Sequence, residues 1–288
     1  MNLAQINRDR LIDIRNLSND NFDLTQAALD LAALHRNDIK LAPYSRHLDH
    51  IAREVNIYVG NDCSVDIAAE ALKQILAKRY GYQGYCESGD DSEAANIATV
   101  IDERRGIPIS LIIIYLHVAR YQGWSASVID FPNRALLRLD IGSERCILDP
   151  FDGGQRLNSK SMRQLLKHLN GLEWELEPIH YKKILNLEIL LRLENSVKTS
   201  CIKAEQFNDA LKAIDNLLLL TPDNPSLWRE SGMMHARLHN FAEAILSLEE
   251  YLRLDTNGEK SYSASMLLQT LRKQVKPSCQ NKHDLSGV

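Results

Sequence analysis

The sequence predicts an α+β fold that is mostly helical, and three observations carry this prediction. Only 6% of the residues are aromatic, and Leu, Ile and Ala dominate, a composition that favours packed helices over a β-sandwich. Short β-compatible runs are confined to one region, which follows a strongly apolar helical segment. From about Ile184 onward every pattern is helical, and a repeat is visible.

Helical periodicity dominates the chain before Gly106. Apolar residues recur at helical spacing from Leu24 to Arg36, where Asp23 is the predicted N-cap, and again after Pro43, which is expected to interrupt the helix. A third helix is predicted from Ser64 to about Tyr80, followed by a glycine-rich loop and a fourth helix that Gly106 ends. The residues predicted to face the core are Ala28, Leu31, Ala32, His35, Leu48, Ile51, Ala52, Val55, Ile67, Ala71, Ile75, Leu76, Ala94, Ile97, Ala98 and Ile101.

The segment from Ile109 to Tyr121 is apolar almost all round. A helix with so little polar surface is predicted to lie in the middle of a domain. Pro108 suits the first turn of this helix, because the N–H that it lacks would have no partner there.

Three short β-compatible runs follow, namely Ser125 to Phe131, Ala135 to Asp140 and Arg145 to Leu148. They predict a small antiparallel sheet, after which the pattern returns to helix from Ser159 to Leu169. Helices and strands together are predicted to form a first domain over residues 1–180.

A repeat of 34 residues marks the rest of the chain. The residues that share this offset are Phe207 and Phe241, Ala210 and Ala244, Leu217 and Tyr251, and Pro222 and Thr256. The period is typical of the tetratricopeptide helix pair. Repeats are predicted over residues 181–276, with a last helix from Ser261 to Val275, and the polar tail 277–288 is predicted to be disordered.

The two repeat units differ at their signature positions. The second unit has Trp228 and Gly232 there, whereas the first has Glu194 and Lys198. Because the large apolar residues pack the helices together, binding is expected from polar positions on the concave face. The residues predicted to contact a protein or peptide partner are Asn195, Lys198, Arg229 and Arg237.

Several motifs of the first domain together resemble one known family. They are the block Arg104 to Leu111, the helix end Val118 to Trp124, the turn Phe131 to Arg134 and the run Leu148 to Gly154. These motifs resemble the bacterial SirB family, whose members have a transglutaminase-like (papain-like) domain followed by tetratricopeptide repeats. The resemblance covers nearly the whole chain and implies that fold here.

The transglutaminase-like fold implies a catalytic triad of cysteine, histidine and aspartate. A helix N-terminus stabilises the thiolate, the imidazole takes its proton, and the carboxylate orients the imidazole. Carried onto this chain, the nucleophile position falls at Pro108, with Ser110 as the nearest hydroxyl, and Arg134 stands at the base position. Only Asp149 of the triad is kept, and Arg134 cannot accept a proton near neutral pH. Acyl transfer by this mechanism is therefore not expected.

Two hypotheses account for Arg134 and Asp149. Their nearness, which the resemblance implies, suggests an ion pair in place of the histidine–aspartate hydrogen bond. Alternatively, Arg134 points to solvent from the strand end and Asp149 only caps the turn at Pro150. Ser110 is predicted to form hydrogen bonds at the helix N-terminus.

Charge and cysteine content exclude several classes of protein. The formal net charge of −4 gives no global attraction to nucleic acid. No apolar run approaches the roughly 20 residues that span a bilayer, and the N-terminus lacks the order of a signal peptide. The five cysteines are widely spaced, which argues against a disulfide framework or a zinc site. A cytoplasmic protein that binds neither nucleic acid nor membrane is expected.

One pair of histidines has metal-ligand spacing. His47 and His50 are three residues apart on a predicted helix, but no third ligand lies nearby in the sequence. They are predicted to belong to a polar helix face, and neither a metal nor another cofactor is expected.

Two functions of different classes follow. The first is a catalytically inactive regulatory or scaffolding protein whose repeats bind a partner. The alternative is a hydrolase or acyltransferase with a rearranged site, using Ser110 with Asp149 or a cysteine such as Cys86.

Overall fold

Short polar side chains begin several helices of the first domain. Asp23 accepts hydrogen bonds from the backbone N–H groups of Thr25 and Gln26, as predicted, and Ser64 and Asn96 cap later helices. The computed structural model describes residues 3–17, 22–36, 39–61, 63–85, 91–255, 258 and 261–275. The helices before residue 104 are α1 Leu3–Ile14, α2 Leu24–His35, α3 Leu41–Val59, α4 Val65–Leu72, α5 Asp91–Ala95 and α6 Ile97–Glu103.

Two predictions about these helices were wrong. Pro43 does not interrupt a helix but lies in the first turn of α3, where no intrahelical bond needs its N–H. Ile67 was expected to face the core but is 37% exposed, and Val65 and Ala68 are buried in its place. The third helix otherwise extends as predicted, because a π-helical segment, Lys73–Arg79, continues α4.

The predicted fourth helix is two helices, and it ends before Gly106. Asn96 has extended backbone between α5 and α6, where its side chain caps α6. Arg104 then ends α6 with a left-handed backbone, φ 63°. The chain continues as strand β2 (Arg105–Gly106), which pairs in parallel with β1 (Gln83–Gly84) from the predicted loop.

These two strands hold the start of helix α7 (Pro108–Tyr121). Pro108 occupies its first turn as predicted, and every residue from Ile109 to Leu116 is buried. A Cβ atom on Gly106 would lie 2.6 Å from Ser110 Oγ, so only glycine allows the backbone this close to the helix.

The sheet is antiparallel and has α7 on one face. It consists of β3 Ser125–Phe131, β4 Arg134–Ile141, β5 Glu144–Asp149, β6 Gln155–Leu157 and β7 Lys183–Ile184, in the order β6-β5-β4-β3-β7. The three predicted strands are confirmed. The sequence does not predict β6 or β7, and β7 joins the sheet just beyond the predicted boundary at residue 180. Helix α8 (Ser159–Asn170) packs on the other face, with Met162 and Leu166 against Phe131 and Ile147.

The remaining helices form the predicted repeats. They are α9 Asn186–Lys203, α10 Phe207–Leu220, α11 Pro225–Arg237, α12 Phe241–Leu254 and α13 Ser261–Val275. Trp228 Nε1 donates to the carbonyl oxygen of Pro222 at 2.6 Å, and a Cβ on Gly232 would lie 2.7 Å from Leu248 Cγ. Such close contact explains why glycine stands in the second unit. Thr256 and the tail 277–288 lie outside the described residues.

A buried polar cluster joins the repeats to the first domain. His35 Nε2 lies 2.6 Å from Glu194 Oε1, and Asn216 Nδ2 donates to the same oxygen at 2.8 Å. These residues come from α2, α9 and α10. Glu194, which replaces the signature tryptophan of the first repeat, is therefore a docking residue between the two domains.

This cluster predicts a pH dependence of stability. Burial opposes a charge on His35 and is the largest influence, but the charge of Glu194 and its hydrogen bond outweigh burial and raise the pKa of His35 above 6.5. Such a group contributes stability that is complete below the unfolded pKa and is lost as pH rises through the folded pKa. We expect the free energy of unfolding, measured with urea, to fall from about pH 6.5 upward.

The Glu194→Gln variant isolates this effect, because its neutral amide no longer favours the imidazolium. The difference in unfolding free energy between wild type and variant should shrink as pH rises through that window. A difference that stays constant or grows would contradict the assigned contact.

Candidate functional site

Ser110 lies in the first turn of α7 and is shielded from solvent. Its side chain is fully buried, and its Oγ donates to the carbonyl oxygens of Ala94 and Ile107, each at 2.9 Å. The hydrogen bonding predicted for Ser110 is confirmed. A hydroxyl in this position holds the C-terminal end of α5 to the start of α7. It does not reach a surface from which it could attack a substrate.

Arg134 and Asp149 meet at the edge of the sheet. Arg134 begins β4 and Asp149 ends β5, and the antiparallel pairing of these strands places the two ends side by side. Arg134 Nε lies 3.5 Å from Asp149 Oδ2, with the arginine side chain 13% exposed and the aspartate 2% exposed. Arg134 therefore does not point to solvent, and the ion-pair hypothesis describes the observed contact.

Asp149 also caps a turn, so part of the alternative hypothesis holds as well. Its Oδ1 accepts a hydrogen bond from the backbone N–H of Phe151 at 3.0 Å. Burial raises the pKa of Asp149 above its usual value, and neither the Arg134 charge nor the backbone donors fully compensate. Phe151 in turn lies under the guanidinium of Arg134, with 4.1 Å from Cζ to the ring centroid.

No thiol of the described residues lies at this edge of the sheet. Burial raises the pKa of the Cys146 thiol to about 11, and its side chain is buried. Cys201 is buried in the repeats, and Cys63 is exposed near the start of α4. Cys86, the cysteine considered for a rearranged site, lies outside the described residues.

A cavity of about 570 Å³ opens beside Arg134. One wall is the start of α7 with the β3–β4 turn, and the other is one face of α9. We call it the α7–α9 groove. The residues of the first wall include Ile107, Pro108, Ile109, Phe131, Pro132 and Arg134, and those of the second are Arg192, Asn195, Ser196, Thr199, Ser200 and Lys203.

The sequence does not predict that α9 forms this wall. Its polar residues recur at spacings of three and four, which is a readable helical stripe, but such a stripe is equally typical of a solvent-exposed face. The contact that fixes it is Arg192 with Asp130 of β3, two hydrogen bonds of 2.6 and 3.0 Å. Arg192 and Asp130 are 62 positions apart in the sequence.

The four residues predicted to bind a partner lie in different environments. Asn195 lines the α7–α9 groove. Lys198 is buried instead of exposed, and its Nζ pairs with Glu230 Oε2 at 2.6 Å. Arg229 contacts Met233 on its own helix. Arg237 Cζ lies 4.7 Å from the ring centroid of Phe207. Lys198 thus joins α9 to α11, and partner binding by the other three residues stays a prediction.

His47 and His50 contact different neighbours. His47 Nε2 lies 3.2 Å from the hydroxyl of Tyr82, while His50 Nε2 lies 3.4 Å from Glu54 Oε1. Burial, assisted by the nearby Arg104, lowers the pKa of His47 to about 4. In the part of the chain that the structure describes, no three His, Cys, Asp or Glu residues converge as metal ligands would.

The fold is that of a transglutaminase-like protein, and at this centre Arg134 faces Asp149. A sequence profile described as the transglutaminase-like superfamily matches residues 42–195, and the chain belongs to this superfamily. A tetratricopeptide repeat profile matches residues 197–269. Together the two matches confirm the domain order that the sequence predicts.

Curated relatives narrow the comparison to the SirB family. The chain is 27% identical over 241 residues to a UPF0162 protein of Vibrio cholerae, covering 82% of this chain and 89% of the relative. It is 28% identical over 192 residues to a UPF0162 protein of Xylella fastidiosa, covering 64% and 66%. It is 26% identical over 187 residues to protein SirB1 of Salmonella typhimurium, covering 64% and 69%. No solved structure matches the chain significantly.

Proposed function

We propose that this protein is a non-catalytic regulatory module that binds a protein partner through its helical repeats and the adjoining groove. The observation that carries the proposal is the Arg134–Asp149 pair, 3.5 Å apart at the edge of the sheet. In a working triad this carboxylate would orient an imidazole. Here it faces a guanidinium, which stays protonated and cannot act as a general base.

The repeats supply the interaction function. Tetratricopeptide-type arrays present concave surfaces to peptides or helices of other proteins, and Asn195, Arg229 and Arg237 are the proposed contacts. A regulatory role and a cytoplasmic location are parts of the same proposal. The described cysteines form no disulfide with one another, which suits a reducing compartment. None of the described helices combines the length and apolar character of a bilayer span.

The alternative is an acyltransferase or hydrolase with a rearranged site. For Ser110 the observed geometry argues against it, since both of its hydrogen bonds go to backbone carbonyl oxygens. Cys86 keeps the alternative testable, because in the sequence it directly follows the β1 segment, whose strand pairs with β2 next to α7.

A turnover assay tests the proposal. Purified full-length protein is incubated with glutamine-containing peptides plus a labelled amine, and separately with p-nitrophenyl esters and peptide amides. We expect no product above that of the Asp149→Asn variant, which removes the last triad residue. Turnover that Asp149→Asn or Cys86→Ala abolishes would establish the enzyme instead.

A further inference from the structure

We infer that the α7–α9 groove binds an acidic peptide segment, in which a carboxylate side chain lies next to an apolar one. The inference rests on the proposed function only in that the partner protein supplies the peptide. The charges, the length and the apolar floor of the groove support it.

The lining of the groove has more cations than carboxylates, although the whole chain has a net charge of −4. Arg134, Arg192 and Lys203 line it, and Asp130 is the carboxylate among the described lining residues. Asp149 and Glu188, which do not line the groove, pair with Arg134 and Arg192. Asp130 is engaged by both hydrogen bonds from Arg192, and these bonds are the main reason that its pKa is lowered. A ligand carboxylate would therefore be attracted mainly at Lys203, the lining cation that no described carboxylate balances.

Two of the cations keep capacity for a ligand. Lys203 is exposed and forms no salt bridge with any described residue. Arg134 Nε is buried and has no hydrogen-bond partner among the described atoms, because its contact with Asp149 is long. Its guanidinium is held between Phe151 and Asp149, so little freedom would be lost when a ligand binds.

The length of the groove favours a peptide over a small carboxylic acid. Arg192 and Lys203 are separated by 11 residues of α9, which is about 16 Å at ~1.5 Å per residue. An extended peptide covers that distance with about five residues. A single small carboxylate could reach only one end.

The wall formed by the start of α7 and the β3–β4 turn is the reason that we expect an apolar residue in the ligand. Ile107, Pro108, Ile109 and Phe131 form an apolar floor beside Arg134. The turn above it is fixed, because Asn133 Nδ2 donates to Asn170 Oδ1 at 2.8 Å. A volume of about 570 Å³ lies in the usual range of ligand sites, roughly 300–1,000 Å³.

A peptide selection tests the inference. A display library of random octapeptides is selected on the immobilised full-length protein, and enriched peptides are measured by fluorescence anisotropy. We expect the enriched sequences to place Asp or Glu next to an apolar residue. Their affinity should fall about tenfold or more in Lys203→Glu, less in Lys203→Gln, and also with rising ionic strength.

Lys273→Glu is the matched control, since it makes the same change of charge on the exposed face of α13. Equal weakening by Lys203→Glu and Lys273→Glu, or selection without acidic enrichment, would overturn the inference. If N-acetylglutamate displaces the labelled peptide at the same concentration as unlabelled peptide does, the groove binds a small carboxylate. That result would also overturn the inference. Mass spectrometry of the recovered peptide tests the proposed function separately. A cleaved or aminated peptide would show that the protein is catalytic, but it would not contradict peptide binding in the groove.

Discussion

Replacing Arg134 by methionine should destabilise the protein by about 3 kcal/mol at neutral pH. The substitution keeps the length of the side chain but leaves the Asp149 carboxylate, which is 2% exposed, without its cation. The measurement is the free energy of unfolding in urea. Arg145→Met is the control, because Arg145 is a mostly exposed strand residue that pairs with Asp140, and its loss should be within about 0.5 kcal/mol.

A second substitution shows whether the loss comes from the stranded charge. Asp149→Asn in the Arg134→Met background should restore most of the stability, since a neutral amide can still accept the N–H of Phe151. The loss in Arg134→Met should also fade as pH falls through the raised pKa of Asp149, because the protonated carboxyl needs no counter-ion. Additive losses in the double variant would mean that the two side chains do not interact.

Replacing Glu194 by alanine should also cost about 3 kcal/mol, because it leaves the buried Asn216 and the largely buried His35 without the carboxylate that both contact. Glu194 is 1% exposed and is the contact between α2, α9 and α10. Unfolding in urea measures the loss. Glu188→Ala on the same helix is the control, since Glu188 forms only an exposed pair with Arg192, and we expect a change within about 0.5 kcal/mol.

The Glu194 result also bears on how the domains unfold. If the cluster holds the repeats to the first domain, Glu194→Ala should separate the unfolding transition into two, seen by different spectroscopic probes. A variant as stable as wild type would contradict the assignment of Glu194 as a docking residue.

Local patterns in the sequence were enough to predict most elements. Ser125–Phe131 and Ser261–Val275 have the predicted bounds, because alternation, helical spacing and flanking turns lie within the segments themselves. The errors at Pro43 and Ile67 arise where a local signal has two meanings. A proline either breaks a helix or opens its first turn, and an isoleucine on a short helix is turned in or out by its neighbours.

The candidate site could be predicted only in part. The pairing of Arg134 with Asp149 was suggested by a family resemblance, since residues 15 positions apart give no periodic signal. The α7–α9 groove and the Glu194 cluster depend on contacts across 62 and 159 positions, which no local pattern encodes. Lys198 was misjudged for the same reason, because its partner Glu230 belongs to another helix.

One cause explains why the first repeat has Glu194 and Lys198 at its signature positions. Where Trp228 and Gly232 pack two helices of one repeat, the first unit has two charged residues whose partners lie on other elements. An incomplete repeat motif here marks the helix that docks on the first domain. Its outward face then becomes a wall of the groove.

Covalent labelling of the native protein tests whether the transglutaminase-like centre has a reactive nucleophile, and we expect that it has none. The folded protein is treated with iodoacetamide or a fluorophosphonate probe, and modified residues are identified by mass spectrometry over time. We expect Cys63, the exposed cysteine of the described residues, to react no faster than an ordinary thiol, and Ser110 to remain unmodified. Rapid labelling that Ser110→Ala or Cys86→Ala abolishes would show that the centre has a reactive nucleophile and would identify an active enzyme.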